Sequence, residues 1–184
     1  MRKLISVFSE YIFKADNYTK DEKEKIEYTL RIVIYEFLKI LGSTALYMIM
    51  GYPVQALTAA ATMVITKPYM GGYHEDTQLK CFAATLIFLG SVIHLSDNVY
   101  LNLSSRVILS LILIFCIWNE APVINPSMPL TKKELIDKNR NSATILASVS
   151  LAAAVFLNKY SSISNTILWI ITFNTLLMFN KRKN

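Results

Sequence analysis

The chain has 184 residues, of which 53% are hydrophobic and only 17% charged, with a formal net charge of +6 at pH 7. That is too apolar for an ordinary soluble domain. The basic residues lie between apolar runs and not along one polar face, which argues against a nucleic-acid-binding module. The two cysteines, Cys81 and Cys116, offer neither a disulfide framework nor zinc-ligand spacing.

Residues 1–15 read as an amphipathic helix on the membrane surface. Leu4, Phe8, Tyr11, Ile12 and Ala15 recur at helical spacing opposite Arg2, Lys3, Glu10 and Lys14. The same charges, and the lack of a small-residue cleavage site, argue against a secretory signal. Asp16-Asn17-Tyr18 is a break, and Thr19 precedes Glu22 with capping-box spacing. The first long helix spans 19–50, wet at its start and apolar later. Within it Glu36 and Lys39 are three apart, on one face, and able to pair.

Five stretches carry no Asp, Glu, Lys or Arg: Ile40–Thr66, Cys81–Ser96, Val107–Asn119, Asn141–Asn158 and Tyr160–Asn180. Runs of roughly 18 such residues are long enough to cross the hydrocarbon core. Gly51-Tyr52-Pro53 is a turn signal inside the first. It splits the stretch into spans at 19–50 and 54–66, followed by spans at 81–96, 99–118, 142–158 and 162–179. The connecting loops are 67–80 and 119–141, the latter interrupted by Pro122, Pro126 and Pro129. With six Lys or Arg before residue 26, and Lys132, Lys133, Lys138, Arg140 and Lys181-Arg182-Lys183 later, the positive-inside rule favours both termini and both long loops in the cytoplasm. The turns on the other side carry Lys159 and, at the edge of a span, Arg106. The expected fold is all-α: one polytopic integral membrane domain of about six transmembrane helices plus the interfacial helix, in a cell membrane.

Chemistry concentrates in Lys67-Pro-Tyr-Met-Gly-Gly-Tyr-His-Glu-Asp-Thr-Gln-Leu-Lys-Cys81. Cys81 stands at the start of a span, where the positive end of a helix dipole favours a thiolate. His74 is the residue able to act as its base or imidazolium partner. On one continuous helix the two would sit about 10 Å apart along the axis, too far for a hydrogen bond. For the pair to work the chain must bend between them or His74 must lie outside the helix, and Gly71-Gly72 allows a bend just before His74. Glu75, Asp76 and Thr77 are candidates to orient the imidazole, and the residues do not choose among them.

A metal held by His74, Glu75 and Asp76 is disfavoured, because adjacent helical residues point apart. His94 lies near the far end of its span and reads as an interfacial polar residue. Cys116 reads as a small buried hydrophobe. Trp118, Tyr69 and Tyr73 suit the interfacial aromatic belt, and Tyr69 and Tyr73 are also placed to line a peptide groove.

His74 followed seven residues later by Cys81, with Gly72 two before the histidine and Lys67 seven before it, resembles the accessory gene regulator B family. The length, the six-span layout and the proline-containing loop Ala121–Leu130 are similar to that family as well. The resemblance implies a membrane-embedded cysteine endopeptidase of peptide quorum sensing, with Cys81 as nucleophile, His74 as base and Gly72 as the glycine near the active site. Lys67 stands where members often carry arginine, which keeps the charge and loses the bidentate fork; a snorkelling lysine at a helix end is the structural alternative.

The resemblance further implies a partner, a small amphipathic signalling propeptide with an acidic C-terminal tail lying on the inner leaflet of the bilayer. The tail would be removed through a Cys81 acyl-enzyme and the rest closed into a thiolactone or lactone. A homodimer is implied too, and no cofactor. Lys132, Lys133, Lys138 and Arg140 either attract the acidic tail or only set topology. The alternative from another class is a non-enzymatic small membrane transporter or peptide exporter, which accounts for the spans and for Glu36, Lys39 and Arg106 but not for the Lys-Gly-His-Cys spacing.

Overall fold

Caps and chain breakers, more than hydropathy, set where the helices begin and end. The computed structural model describes residues 19–71, 77–124 and 132–179; the expected interfacial helix over 1–15 lies outside them. Helix α1 is Lys20–Ile49. It opens on the expected capping box: Glu22 N donates to Thr19 Oγ1 at 3.4 Å, and Thr19 N donates back to Glu22 Oε2 at 2.9 Å. Gly51 at φ 95° turns the chain, and Pro53 starts α2, Pro53–Met70. Then follow α3, Gln78–Asn98; α4, Leu103–Glu120; α5, Lys133–Phe156; a 3₁₀ turn, Leu157–Lys159; and α6, Ser161–Phe179.

Several helices overrun the apolar stretches that mark them in the sequence. Helix α2 continues through Lys67 and Pro68 to Met70 rather than stopping at 66. Helix α3 begins at Gln78 because Thr77 caps it, and α4 begins at Leu103 because Asn102 Oδ1 accepts from Ser105 N at 2.8 Å. Residues 133–141, expected within the 119–141 loop, form the first turns of α5. Hydropathy locates the membrane-compatible part of a helix and is silent on polar turns that continue it.

Two compact units divide the chain, Met1–Gly42 and Ser43–Asn184. In the first, α1 carries i,i+4 and i,i+3 ion pairs, Glu27–Arg31 at 3.1 Å and Glu36–Lys39 at 2.5 Å. Lys39 is buried, so this pairing matters more than it would on a wet surface.

In the second unit α6 is the central helix, and α2, α3, α4 and α5 all pack on it. Leu168, Ile170 and Ile171 of α6 are fully buried. One core gathers Met70, Ile117, Ala121, Ala143, Ala147, Leu151, Leu168 and Met178. The other gathers Ala59, Met63, Leu89, Val92 and Ile170. Ala143, Ala147 and Ala154 line the inner face of α5, and small residues at such spacing let helices approach closely in a bilayer. The outward faces are apolar: Ile87, Ile108, Leu111, Phe115, Ile145 and Val149 are exposed.

Five helical segments among the described residues are long and apolar enough to cross a membrane: Glu22–Ile49, Gln78–Asn98, Leu103–Glu120, Lys133–Lys159 and Ser161–Phe179. Helix α2 has 18 residues but carries Gln55, Thr58, Thr62, Thr66 and Lys67, and is not one of the five. Thr62 and Thr66 donate to carbonyls four residues back, each at 2.8 Å, which satisfies those hydroxyls inside the helix. The protein is thus an all-α polytopic membrane protein, as the sequence implies.

The connections after α2 and after α4 meet at one end of the second unit, where Val123 N donates to Met70 O at 2.9 Å. At the other end Gln55 at the start of α2 donates to Asp97 at the end of α3, at 2.9 Å.

Candidate active site

Cys81 owes its position to Thr77. Thr77 has an extended backbone, φ −123° and ψ 147°, and its side chain accepts a hydrogen bond from Lys80 N at 3.3 Å. Its carbonyl accepts from Cys81 N at 3.0 Å. Cys81 therefore stands in the first turn of α3, half-buried and outside any disulfide. There the N–H groups of the helix start and the helix dipole present positive potential to the sulfur. Thr85 Oγ1 donates to the Cys81 carbonyl at 2.9 Å, which fixes the turn from the other side. Thr77, a sequence candidate to orient an imidazole, acts here as the N-cap.

Of the other sequence candidates, Lys67 lies half-buried in the last turn of α2, and its carbonyl accepts from Gly71 N at 3.0 Å. Gly72, His74, Glu75 and Asp76 lie outside the described residues, as does Tyr73. Tyr69 is exposed on the last turn of α2.

Gly71 has a tighter constraint than a general bend. Its φ is +72°, and a Cβ there would lie 2.3 Å from Val123 O and 2.9 Å from Val123 N. Any side chain would strike backbone, and the backbone conformation itself disfavours one. Gly71 and Val123 form an isolated parallel bridge. Arg140 of α5 completes the junction, its Nε donating to Ala121 O at 3.0 Å. The last described residue before the candidate segment, Gly71, is thus held by a backbone contact with the chain after α4, and the described chain resumes at Thr77, the cap of α3. No local sequence signal marks residues 121, 123 and 140 as neighbours of Gly71.

The opposite end holds a polar cluster that the sequence reading missed. Arg106, taken as a span-edge cation, is 1% exposed. Its Nε donates to Leu101 O at 2.9 Å, and its two terminal nitrogens donate to Ser164 Oγ and to Asn165 Oδ1. Asn165 Nδ2 donates on to Ser96 O at 2.8 Å, and the hydroxyls of Ser96 and Thr166 are 3.1 Å apart. His94 is exposed on α3, its carbonyl accepting from Asn98 Nδ2 at 2.8 Å. About 20 Å of helix separates it from Cys81. Cys116 is half-buried on α4 and, like Cys81, outside any disulfide.

Comparison with known proteins places this arrangement. The model of the family described as accessory gene regulator B matches residues 5–178. The chain is 42% identical over 183 residues to a protein of Clostridium perfringens (strain 13 / Type A) named putative AgrB-like protein 1, covering 100% of this chain and 98% of the relative. No solved structure matches. A match over nearly the whole chain, together with an all-α membrane fold and a cysteine in a capped first turn, leads to one assignment: the chain belongs to the accessory gene regulator B family and has a role in processing quorum-sensing peptides.

Proposed function

We propose that the protein is a membrane-embedded cysteine endopeptidase that removes the C-terminal tail of a small propeptide and closes the remainder into a ring. The observation that carries this reading is Cys81 in the first turn of a capped helix, inside the His74–Cys81 motif of a chain whose family match spans residues 5–178. The substrate is a short amphipathic peptide with an acidic tail, lying on the inner leaflet. With α2 counted as a sixth crossing beside the five apolar spans, both termini and the loops after α2 and α4 face the cytoplasm, in keeping with the basic residues they carry.

In the first step the Cys81 thiolate attacks the scissile carbonyl. The C–N bond breaks, His74 delivers a proton to the departing amine, and the peptide is held as a thioester. In the second step a cysteine or serine within the peptide attacks that thioester through its own side chain, giving up its proton to His74. The C–S bond to Cys81 breaks, and a thiolactone or lactone leaves. Exchange of one thioester for another costs little free energy, so thiolactone closure needs no ATP. Excluding water from the pocket favours the ring over hydrolysis. Family resemblance also suggests a homodimer.

Co-expression with the propeptide, followed by mass spectrometry, tests the reading. Cys81→Ala and His74→Ala each abolish the shortened product, and Cys116→Ala and His94→Ala retain it. Normal processing by Cys81→Ala ends the peptidase reading. An activated thiol also alkylates well below the ordinary cysteine pKa of roughly 8.5, whereas a transporter thiol follows the ordinary profile.

A further inference from the structure

Arg140 is one of four basic residues whose sequence reading was either topology or attraction of an acidic tail, and its contacts give it another task. Arg140 Nε donates to Ala121 O at 3.0 Å, and Ala121 is only 1% exposed. A buried carbonyl needs a partner, and a guanidinium at the edge of the core supplies it. Arg140 also meets Asp137 at 3.7 Å, a half-exposed pair of little energetic weight. Two residues beyond Ala121, Val123 N donates to Met70 O at 2.9 Å, and Val123 pairs with Gly71. Met70 and Ala121 belong to one buried cluster with Ile117 and Ala143. The end of α2, the chain after α4 and the start of α5 are therefore locked together at this point. Residues 72–76 run from this lock to Thr77, and Cys81 follows within the next turn.

We propose that Arg140 is a positioning residue for the peptidase reaction: by holding the Ala121 carbonyl it fixes the segment that clamps Gly71, and so sets the point from which the stretch carrying His74 sets out toward Cys81. The inference rests on the peptidase reading above. Without the guanidinium, the Ala121 carbonyl must turn toward water to find a donor. Val123 moves with it, and the pairing with Gly71 and Met70 loosens. Small displacements of a catalytic base are costly in rate, about 100-fold for 1 Å. Substrate binding on the basic surface is untouched.

The test uses the full chain in lipid nanodiscs containing anionic lipid, with the propeptide as substrate. Arg140→Gln lowers kcat on the order of 10- to 100-fold and leaves KM within about twofold, since uniform binding is unchanged. Gly71→Ala breaks the same lock from its other side. The Arg140→Gln, Gly71→Ala double variant is therefore much less impaired than the product of the single losses. Hydrogen exchange speeds up over residues 70–81 in Arg140→Gln and stays slow in α6. Arg140→Lys, which keeps a donor and a charge, shows an intermediate kcat and serves if the glutamine variant fails to assemble.

A raised KM with unchanged kcat overturns the proposal in favour of tail attraction. Strictly multiplicative losses in the double variant overturn it too, as does unchanged exchange over 70–81. A wild-type protein that leaves the propeptide uncut defeats the peptidase reading instead, while the exchange measurement still decides whether the lock exists.

Discussion

Replacing Arg106 with alanine separates the two ends of the molecule. The side chain makes three hydrogen bonds, to Leu101 O, Ser164 and Asn165, and Ser164 in turn donates to Ala154 O. The cluster thereby joins α3, α4, α5 and α6. Two of the three, those to Ser164 and Asn165, cross between helices; such bonds are worth about 0.6–1.7 kcal/mol each, so the pair gives roughly 1–3 kcal/mol. Removing a buried charge whose hydrogen bonds among the described residues go to neutral oxygens offsets part of this. The expected net loss is about 1–2 kcal/mol. Detergent-induced unfolding in mixed micelles, followed by Trp118 and Trp169 fluorescence, reads it as a shift of the midpoint. Cys81 lies about 22 Å along α3 from Ser96, the residue through which the cluster grips that helix. The folded fraction of Arg106→Ala should therefore process the propeptide at the wild-type rate per molecule. Stability within about 0.5 kcal/mol of wild type would refute the energetic argument. A loss of turnover at unchanged stability would refute the separation of the two ends.

Tyr47 donates to Leu86 O at 2.8 Å, and a Cβ on Gly90 would lie 2.5 Å from the Tyr47 hydroxyl. Tyr47→Phe and Gly90→Ala should each cost about 1 kcal/mol, and Gly90→Ala should cost much less in the Tyr47→Phe background, as unfolding midpoints would read. Thr77→Ala removes the cap of α3 and should cost about 1 kcal/mol; it should also slow alkylation of Cys81 at neutral pH, while Thr77→Ser keeps both properties. For the proposed orientation, single cysteines in a Cys81→Ala, Cys116→Ala background are expected to react with an impermeant maleimide from the cytoplasmic side at position 133 and from the outer side at position 159. The reverse pattern would invert the topology.

Much of the fold is legible because a membrane simplifies the code. Charge-free runs mark the bilayer, Gly51-Tyr52-Pro53 marks a break between helices, and Thr19 with Glu22 marks a helix start. What hydropathy hides is where a helix outlasts its apolar run. Lys67 and Pro68 look like an exit from the membrane, yet α2 continues to Met70. Lys133 to Asn141 looks like loop, yet it is helical. Lys, Arg and Glu are good helix formers in water, so charge alone cannot end a helix that has left the bilayer. Helix α2 poses the converse case: it has the length of a span, but its threonines and Gln55 make it less apolar than its neighbours. Packing on α5 and α6 gives such a helix a polar-tolerant inner face.

The candidate site divides along the same line. Cys81 stands out in sequence because thiols and imidazoles are rare in this chain; that Thr77 caps its helix emerges only from the structure. Gly71 is visible as a glycine, but its reason is not: the atom that forbids a side chain is the carbonyl of Val123, about fifty residues onward. Arg106 is misread for a related cause. A cation that borders an apolar run looks like a topology marker, and only tertiary structure reveals that it turns inward to Ser164 and Asn165. Local patterns report what a residue is able to do; contacts between distant segments decide what it does. In this protein those contacts gather at the two ends of the second unit. One end is closed by side chains around Arg106. Among the described residues the other is closed by backbone around Gly71, where Val123 meets Met70 and Gly71 and the Arg140 guanidinium holds the Ala121 carbonyl. On the proposed role of that junction, mutations there should alter turnover before they alter stability, and at the Arg106 end the order should reverse.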